Sequence, residues 1–150
     1  MYIARTNVNN FSDSLNLQHV RNIRNTDKTQ YNCGGYALET FNWFIPHPNF
    51  ARYKNDEDNT RICVESMLAD VPNLRIINDV SELRENEYAF AFRVGDGDFH
   101  FIKRASNGHW FHKAGASWFI RTMRTEDVFN TFWSGRYNGP IVLFAKLREN

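Results

Sequence analysis

The alternation of apolar and polar positions changes character twice along the chain. Residues 1–30 are polar, Asn-rich and weakly periodic, with Phe11, Leu15, Leu17 and Val20 available to pack one short element, and they read as a peripheral arm. From Cys33 the spacing is helical: Tyr36, Ala37, Phe41 and Phe44 follow at offsets of 3, 4, 8 and 11, placing all five on one face. Asn32 stands where an N-cap belongs, and Pro46 and Pro48 end the helix. After a polar loop over 55–59, Val64, Met67, Leu68 and Val71 repeat at i, i+3, i+4 and i+7, predicting a second helix over 60–69 with Pro72 just beyond it.

The second change, at Tyr88, is to a period of two. Leu74 to Ile77 is a short apolar run and Ser81 to Asn86 a polar turn; then Tyr88 to Val94 alternates aromatic residues with alanine and ends in Gly95-Asp96-Gly97, strong turn chemistry. Phe99 to Arg104, the Ser106-Asn107-Gly108 turn and His109 to Lys113 continue this as an antiparallel meander. A third helix is expected over 125–133, and Gly139-Pro140 introduces a last strand over 141–147. Helices first and a sheet afterwards is the α+β order, here in one domain of 150 residues.

Composition narrows the class. With 42% hydrophobic and 23% charged residues, disordered and low-complexity chains are excluded. Eighteen Lys and Arg against 17 Asp and Glu leave a net charge of +1, no field to hold a phosphate backbone, so a nucleic-acid partner is not expected. The longest apolar stretches, 88–92 and 141–145, are far below the ~18 residues of a membrane span. The first residues carry no secretory pattern, so a cytoplasmic chain with reduced Cys33 and Cys63 is expected.

A thiol in the first turn of a helix gains acidity from the helix dipole and free N–H groups, and Cys33 is predicted there. Gly34 and Gly35 behind it are poor helix formers, at about 0.8–1.0 kcal/mol each relative to Ala. Without side chains they leave room for a substrate backbone and for N–H groups aimed at an oxyanion. The same pattern also fits a helix that merely starts at a loop, with Cys33 as a small buried hydrophobe.

A nucleophilic thiol needs a base, and the base an orienting group. His100 is the candidate base. If Ser106-Asn107-Gly108 is a three-residue turn with Gly108 left-handed, Ile102 lies opposite His112 and the two histidines become diagonal neighbours on one face; a two-residue turn separates them. Asp98, two residues before His100, is the rival for the orienting role. Zinc is disfavoured because local CxxC or HxxxH spacings are absent, and no cofactor is expected. His109, His47 and His19 are expected to be solvent-facing or structural, Cys63 to be core, and Lys103, Arg104 and Lys113 to form a solvated edge. Trp43 and Trp110 are expected near the site or core, and Trp118 and Trp133 further out.

The stretch Tyr31-Asn32-Cys33-Gly34-Gly35-Tyr36-Ala37 resembles the nucleophile motif of NlpC-type endopeptidases in the papain-like superfamily, with Asn32 in place of their usual Asp. In that family the catalytic His opens a strand, a Gly-containing turn follows, and a third polar residue lies twelve positions on, as His112 does from His100. The chain as a whole also resembles small proteins of Firmicute phages and their hosts. The resemblance implies a papain-like fold and a cysteine hydrolase with Cys33 as nucleophile, His100 as base, His112 as orienter, and Tyr31 with N–H groups near Cys33 as oxyanion donors. A peptide, peptidoglycan or host-protein substrate would follow. The Tyr-x-Trp-Gly-Gly stretch those peptidases carry upstream is missing here, which bears on substrate more than on chemistry. The alternative is an inert fold of this kind used as a binding or inhibitor protein against a host factor.

Overall fold

The computed structural model describes residues 30–113, 120–130, 133 and 136–148. The expected arm over 1–30 and Trp118 lie, all but residue 30, outside that set. In chain order the elements are α1 (Cys33–Ala37), α2 (Asp56–Asp70), β1 (Leu74–Ile77), a 3-10 turn (Val80–Glu82), β2 (Glu87–Gly95), β3 (Asp98–Arg104), β4 (Trp110–Lys113), β5 (Ile120–Met123), α3 (Thr125–Asn130) and β6 (Val142–Leu147). The six strands form one antiparallel sheet in the order β1-β6-β2-β3-β4-β5. The α+β class is therefore as read, with β5 an addition: Ile120-Arg121-Thr122-Met123 is too short and too mixed to announce a strand. Among the described residues no helix is long and apolar enough to cross a membrane.

Strand β2 explains the layering. Its aromatic residues, Tyr88, Phe90 and Phe92, join Phe99, Phe101 and Phe144 in a cluster that takes up Cys33 and Ala37 of α1 and Cys63 and Met67 of α2. Its alanines, Ala89 and Ala91, face the other side, where the small side chains make room for Trp110, Val128, Trp133 and Tyr137. Each fully buried Phe contributes about 1.5–3 kcal/mol, so this alternation of large and small defines both layers.

The turns set the register. Between β2 and β3, Asp96 and Gly97 both have positive φ (54° and 72°) and Gly95 pairs with Asp98, a two-residue turn of the kind that matches strand twist. Between β3 and β4 the turn has three residues: Ala105 N–H donates to the His109 carbonyl at 2.7 Å, Gly108 N–H donates to the Ala105 carbonyl at 3.0 Å, and Gly108 has φ 91°. Lys103 then faces Phe111, the register that puts Ile102 across from His112.

Helix α1 is shorter than its apolar spacing predicts. It stops at Leu38, and Glu39 and Phe41 take left-handed φ values of 59° and 57°. The chain folds back so closely that a Cβ on Gly35 would overlap the Asn42 carbonyl, while Thr40 and Phe41 both donate to the Gly35 carbonyl. A left-handed non-glycine residue costs about 1–2 kcal/mol. The Glu39 carboxylate offsets that by accepting from Lys103 at 3.1 Å and from Arg148 at 2.7 Å. Burial alone would raise the Glu39 carboxyl, but these two cations outweigh it and hold it below its usual range. At the other boundaries, α2 starts earlier than expected because Asn55 caps it by accepting from Asp58 N–H. Helix α3 is described from Thr125 to Asn130; of the rest of the expected 125–133 helix, residues 131 and 132 lie outside the described residues and Trp133 bridges to Tyr137.

Lys103 and Lys113 correct the expectation of a solvated edge, since both are fully buried. Lys103 Nζ lies 4.1 Å from the Tyr36 ring centroid beside Glu39, and Lys113 Nζ donates to the Tyr31 carbonyl. Each is held as buried charges must be, by a carboxylate, carbonyl or aromatic face.

Candidate active site

A cleft of about 560 Å³ opens beside the N-terminus of α1 and is lined by Asn32, Cys33, Asp98, His100 and His112 together with apolar walls. Five of the seven site residues expected from the sequence therefore meet at one place. Tyr31 and Gly34 do not line it. Tyr31 is fully buried in a separate cluster with Tyr36 and Phe41, its ring edge-on to Phe41 at 5.3 Å. Gly34 faces Phe44 and Phe101: a Cβ there would stand 2.8 Å from Phe44 Cδ2 and 3.2 Å from the Phe101 ring. The two glycines thus make room for the chain's own returning loop and not for a substrate.

Asn32 is what holds that loop in place. Its Oδ1 accepts from Gly35 N–H at 3.1 Å and Phe44 N–H at 3.0 Å, and its Nδ2 donates to the Phe44 carbonyl at 2.8 Å. An aspartate would keep the cap but could not donate to that carbonyl, which gives a local reason for Asn here. Asn32 thus frames the cleft while its Oδ1 and one of its two Nδ2 hydrogens hold the loop.

Strands β3 and β4 pair only at Lys103↔Phe111 and Arg104↔Trp110, while His112 and Lys113 pair onward with β5. Cys33 sits against the part of β3 that pairs with β2 but not with β4. The backbone N–H of Phe101 is hydrogen-bonded toward its sulfur, and that of Gly34 also favours the thiolate. Burial dominates both: the thiol is pushed up to about 12, with the charge of Asp98 adding to the rise. This runs against the expectation of an acidified thiol, because burial outweighs the two backbone N–H groups and the charge of Lys113 that favour the thiolate.

His100 and His112 meet as the three-residue turn requires. His100 Nε2 lies 2.9 Å from His112 Nδ1, with the rings near perpendicular at 88°. Burial, and secondarily His112, pushes His100 down to about 3. Burial and then Arg121, the β5 residue paired with His112, lower His112 as well. The resting site is a neutral thiol and two neutral imidazoles lining one cleft.

Asp98 makes no bond to His100. Its Oδ1 accepts from Phe99 N–H at 2.7 Å, and its Oδ2 is 3.4 Å from the Tyr137 hydroxyl and 3.5 Å from Arg136 Nη2. Tyr137 and Trp133, which the sequence reading left out of the site, both line the cleft and pack on His100. Trp133, expected to be peripheral, is only 2% exposed. Trp43 lines the cleft and Trp110 is fully buried, as expected. Cys63 is fully buried in the helix-side cluster, and both cysteines are free thiols. His47 accepts from Asn49 N–H within its own loop, and His109 sits half-buried at the turn, so neither enters the cleft. Among the described residues no group of three or more His, Cys, Asp or Glu is placed to hold a metal ion.

Comparison of the chain with family models, curated proteins and solved structures found no match.

Proposed function

We propose that the chain is a papain-like cysteine hydrolase that acts on an amide bond through Cys33. The observation that carries this reading is the Cys33, His100 and His112 set on one cleft, with the two imidazoles joined at 2.9 Å. A thiol, a base and a group that orients the base are the minimum for covalent thiol catalysis.

The tautomers follow from the bond. For Nδ1 of His100 to accept a proton, Nε2 must carry one and donate it to Nδ1 of His112, so His112 must be neutral with its own proton on Nε2. Burial and Arg121 favour that form. As the Cys33 sulfur attacks the substrate carbonyl, its proton passes to His100 Nδ1. The imidazolium returns it to the leaving nitrogen as the C–N bond breaks, leaving a thioester on Cys33. Water, giving its proton to His100 Nδ1, then attacks the thioester; the C–S bond breaks, the acyl group leaves as the carboxylic acid, and His100 returns the proton to the sulfur. With a raised thiol and a depressed imidazole, the proton moves during attack; no thiolate–imidazolium pair is stored beforehand.

The cleft wall formed by Trp43, Ile45 and Phe50 is apolar, and Trp43 and Ile45 are about half exposed, which suits an apolar side chain next to the scissile bond. The test is p-nitrophenyl acetate, an activated acyl donor, followed by mass spectrometry of peptides. Acetylation confined to Cys33 supports the reading, and an unreactive Cys33 beside labelled surface residues overturns it and favours a binding protein. Incubation of the active chain with a bacterial extract, compared with the Cys33→Ala variant, then identifies the cleaved, deamidated or acylated product.

A further inference from the structure

The imidazole of His100 is enclosed on three sides, and only one of them was legible as site chemistry. His112 bonds its Nε2, Trp133 approaches edge-on at 5.9 Å and 81°, and Tyr137 lies almost parallel to it, at 5.5 Å and 24°. The near-parallel ring controls the plane in which Nδ1 points.

Tyr137 is itself held from several directions. The chain over 136–139 crosses β2 so closely that a Cβ on Gly95 would overlap the Arg136 carbonyl and the Tyr137 Cα. Gly139 N–H donates to the Val94 carbonyl at 2.9 Å, and buried Arg93, paired across the strands with His100, donates from Nε to the Gly139 carbonyl at 2.8 Å. These contacts fix the Tyr137 backbone over the strand ends. Its side chain is fixed at the tip, where the hydroxyl meets Asp98 Oδ2 at 3.4 Å. Asp98 in turn is tied to Phe99 N–H and to Arg136, whose guanidinium lies 5.5 Å from the Tyr137 ring centroid.

We infer that Tyr137 is a positioning residue for His100, its ring setting the plane of the imidazole, and that Asp98 acts on His100 only through the Tyr137 hydroxyl. This rests on the reading of His100 as the base. The chain Arg136, Asp98, Tyr137, His100 gives Asp98 a role in catalysis without the direct bond expected of an orienting carboxylate. The Tyr137 hydroxyl suits the task because burial, then Asp98, pushes it up to about 12, so it remains a donor at neutral pH.

The experiment is a double-mutant cycle on Cys33 acylation by p-nitrophenyl acetate, with the imidazole titration of His100 followed by NMR in the same variants. Tyr137→Leu should slow acylation about tenfold or more and move the His100 titration upward, while Tyr137→Phe, which keeps the ring, should restore most of the rate and the titration. Asp98→Asn should shift the His100 titration in the wild-type background and leave it unmoved in the Tyr137→Phe background, the titration being the arm that excludes the direct effect of the Asp98 charge on Cys33. Equal effects of Asp98→Asn in both backgrounds, or a Tyr137→Leu variant with wild-type rate and titration, overturn the inference. Tyr137→Phe and Asp98→Asn preserve shape, so the cycle stands even where Tyr137→Leu does not fold. If Cys33 is never acylated, the hydrolase reading fails, whereas the titration arm still reports whether Tyr137 and Asp98 control the imidazole.

Discussion

His100 Nε2 and His112 Nδ1 are 2.9 Å apart although their strands do not pair where the two residues stand. The hairpin turn fixes which face each ring takes, and on that face the rings meet near perpendicular at 88°. The bond defines one proton position on each imidazole if His100 is to serve as a base.

His112 should therefore matter less than His100. Replacing the proposed base, His100→Ala, is expected to slow Cys33 acylation about 10²–10⁴-fold, and His112→Ala by a smaller factor, since an orienting group fixes tautomer and angle only. His112→Asn or His112→Gln should recover part of the loss, because an amide oxygen can accept from His100 Nε2. Stopped-flow acylation rates of the four variants check this; recovery by neither amide would mean that His112 acts other than by accepting that bond.

Stability should fall on the acid side earlier than carboxylates would dictate. Burial pushes His100 down to about 3 from its ordinary 6.5, so its contribution is complete above about pH 6.5. As pH falls from there toward 3, the unfolded chain takes up a proton that the folded chain refuses, and stability is lost; His112 adds in the same direction. The thermal midpoint should drop between pH 7 and 4, and this slope should flatten in His100→Gln. Parallel slopes in the two proteins would contradict a buried neutral imidazole.

Asn32→Asp should cost stability although it restores the residue usual in the resembling motif. It removes the donor to the Phe44 carbonyl and sets a carboxylate against it, at about 1–3 kcal/mol. Urea denaturation measures the change. An unaltered midpoint would show that the loop over 39–44 is not anchored through Asn32.

Trp43 is 52% exposed on the cleft wall, so Trp43→Ala should shift stability by less than about 0.5 kcal/mol. It should raise KM for acyl donors with an aromatic acyl group more than for acetate. Equal changes for both donors would place the acyl group against another wall.

The sheet was legible where alternation and turn chemistry agreed. Asp96-Gly97 and Asn107-Gly108 mark two hairpins, and the second, read as a three-residue turn, places His100 and His112 on one face. Helix α1 was overextended because Phe41 and Phe44 continue the helical spacing by chance: the reversal at Glu39 depends on Lys103 and Arg148, which lie far along the chain. For the same reason the burial of Lys103 and Lys113 had no local signal. Tyr137 and Trp133 reach His100 from a segment without periodicity, and only the Gly139-Pro140 pair hinted at a forced path there. The thiol's raised pKa was hidden because the sequence placed Cys33 at a helix start but not how deeply that start is buried.

The central claim is that Cys33 and His100 act as one unit. The most direct measurement is the rate of p-nitrophenyl acetate acylation at Cys33, residue-resolved by mass spectrometry, in the wild type, His100→Gln and Cys63→Ser. The account predicts a single acetyl group on Cys33, formed about 10²–10⁴ times more slowly in His100→Gln and at an undiminished rate in Cys63→Ser. Equal Cys33 acylation in wild type and His100→Gln, with both proteins folded, would contradict it.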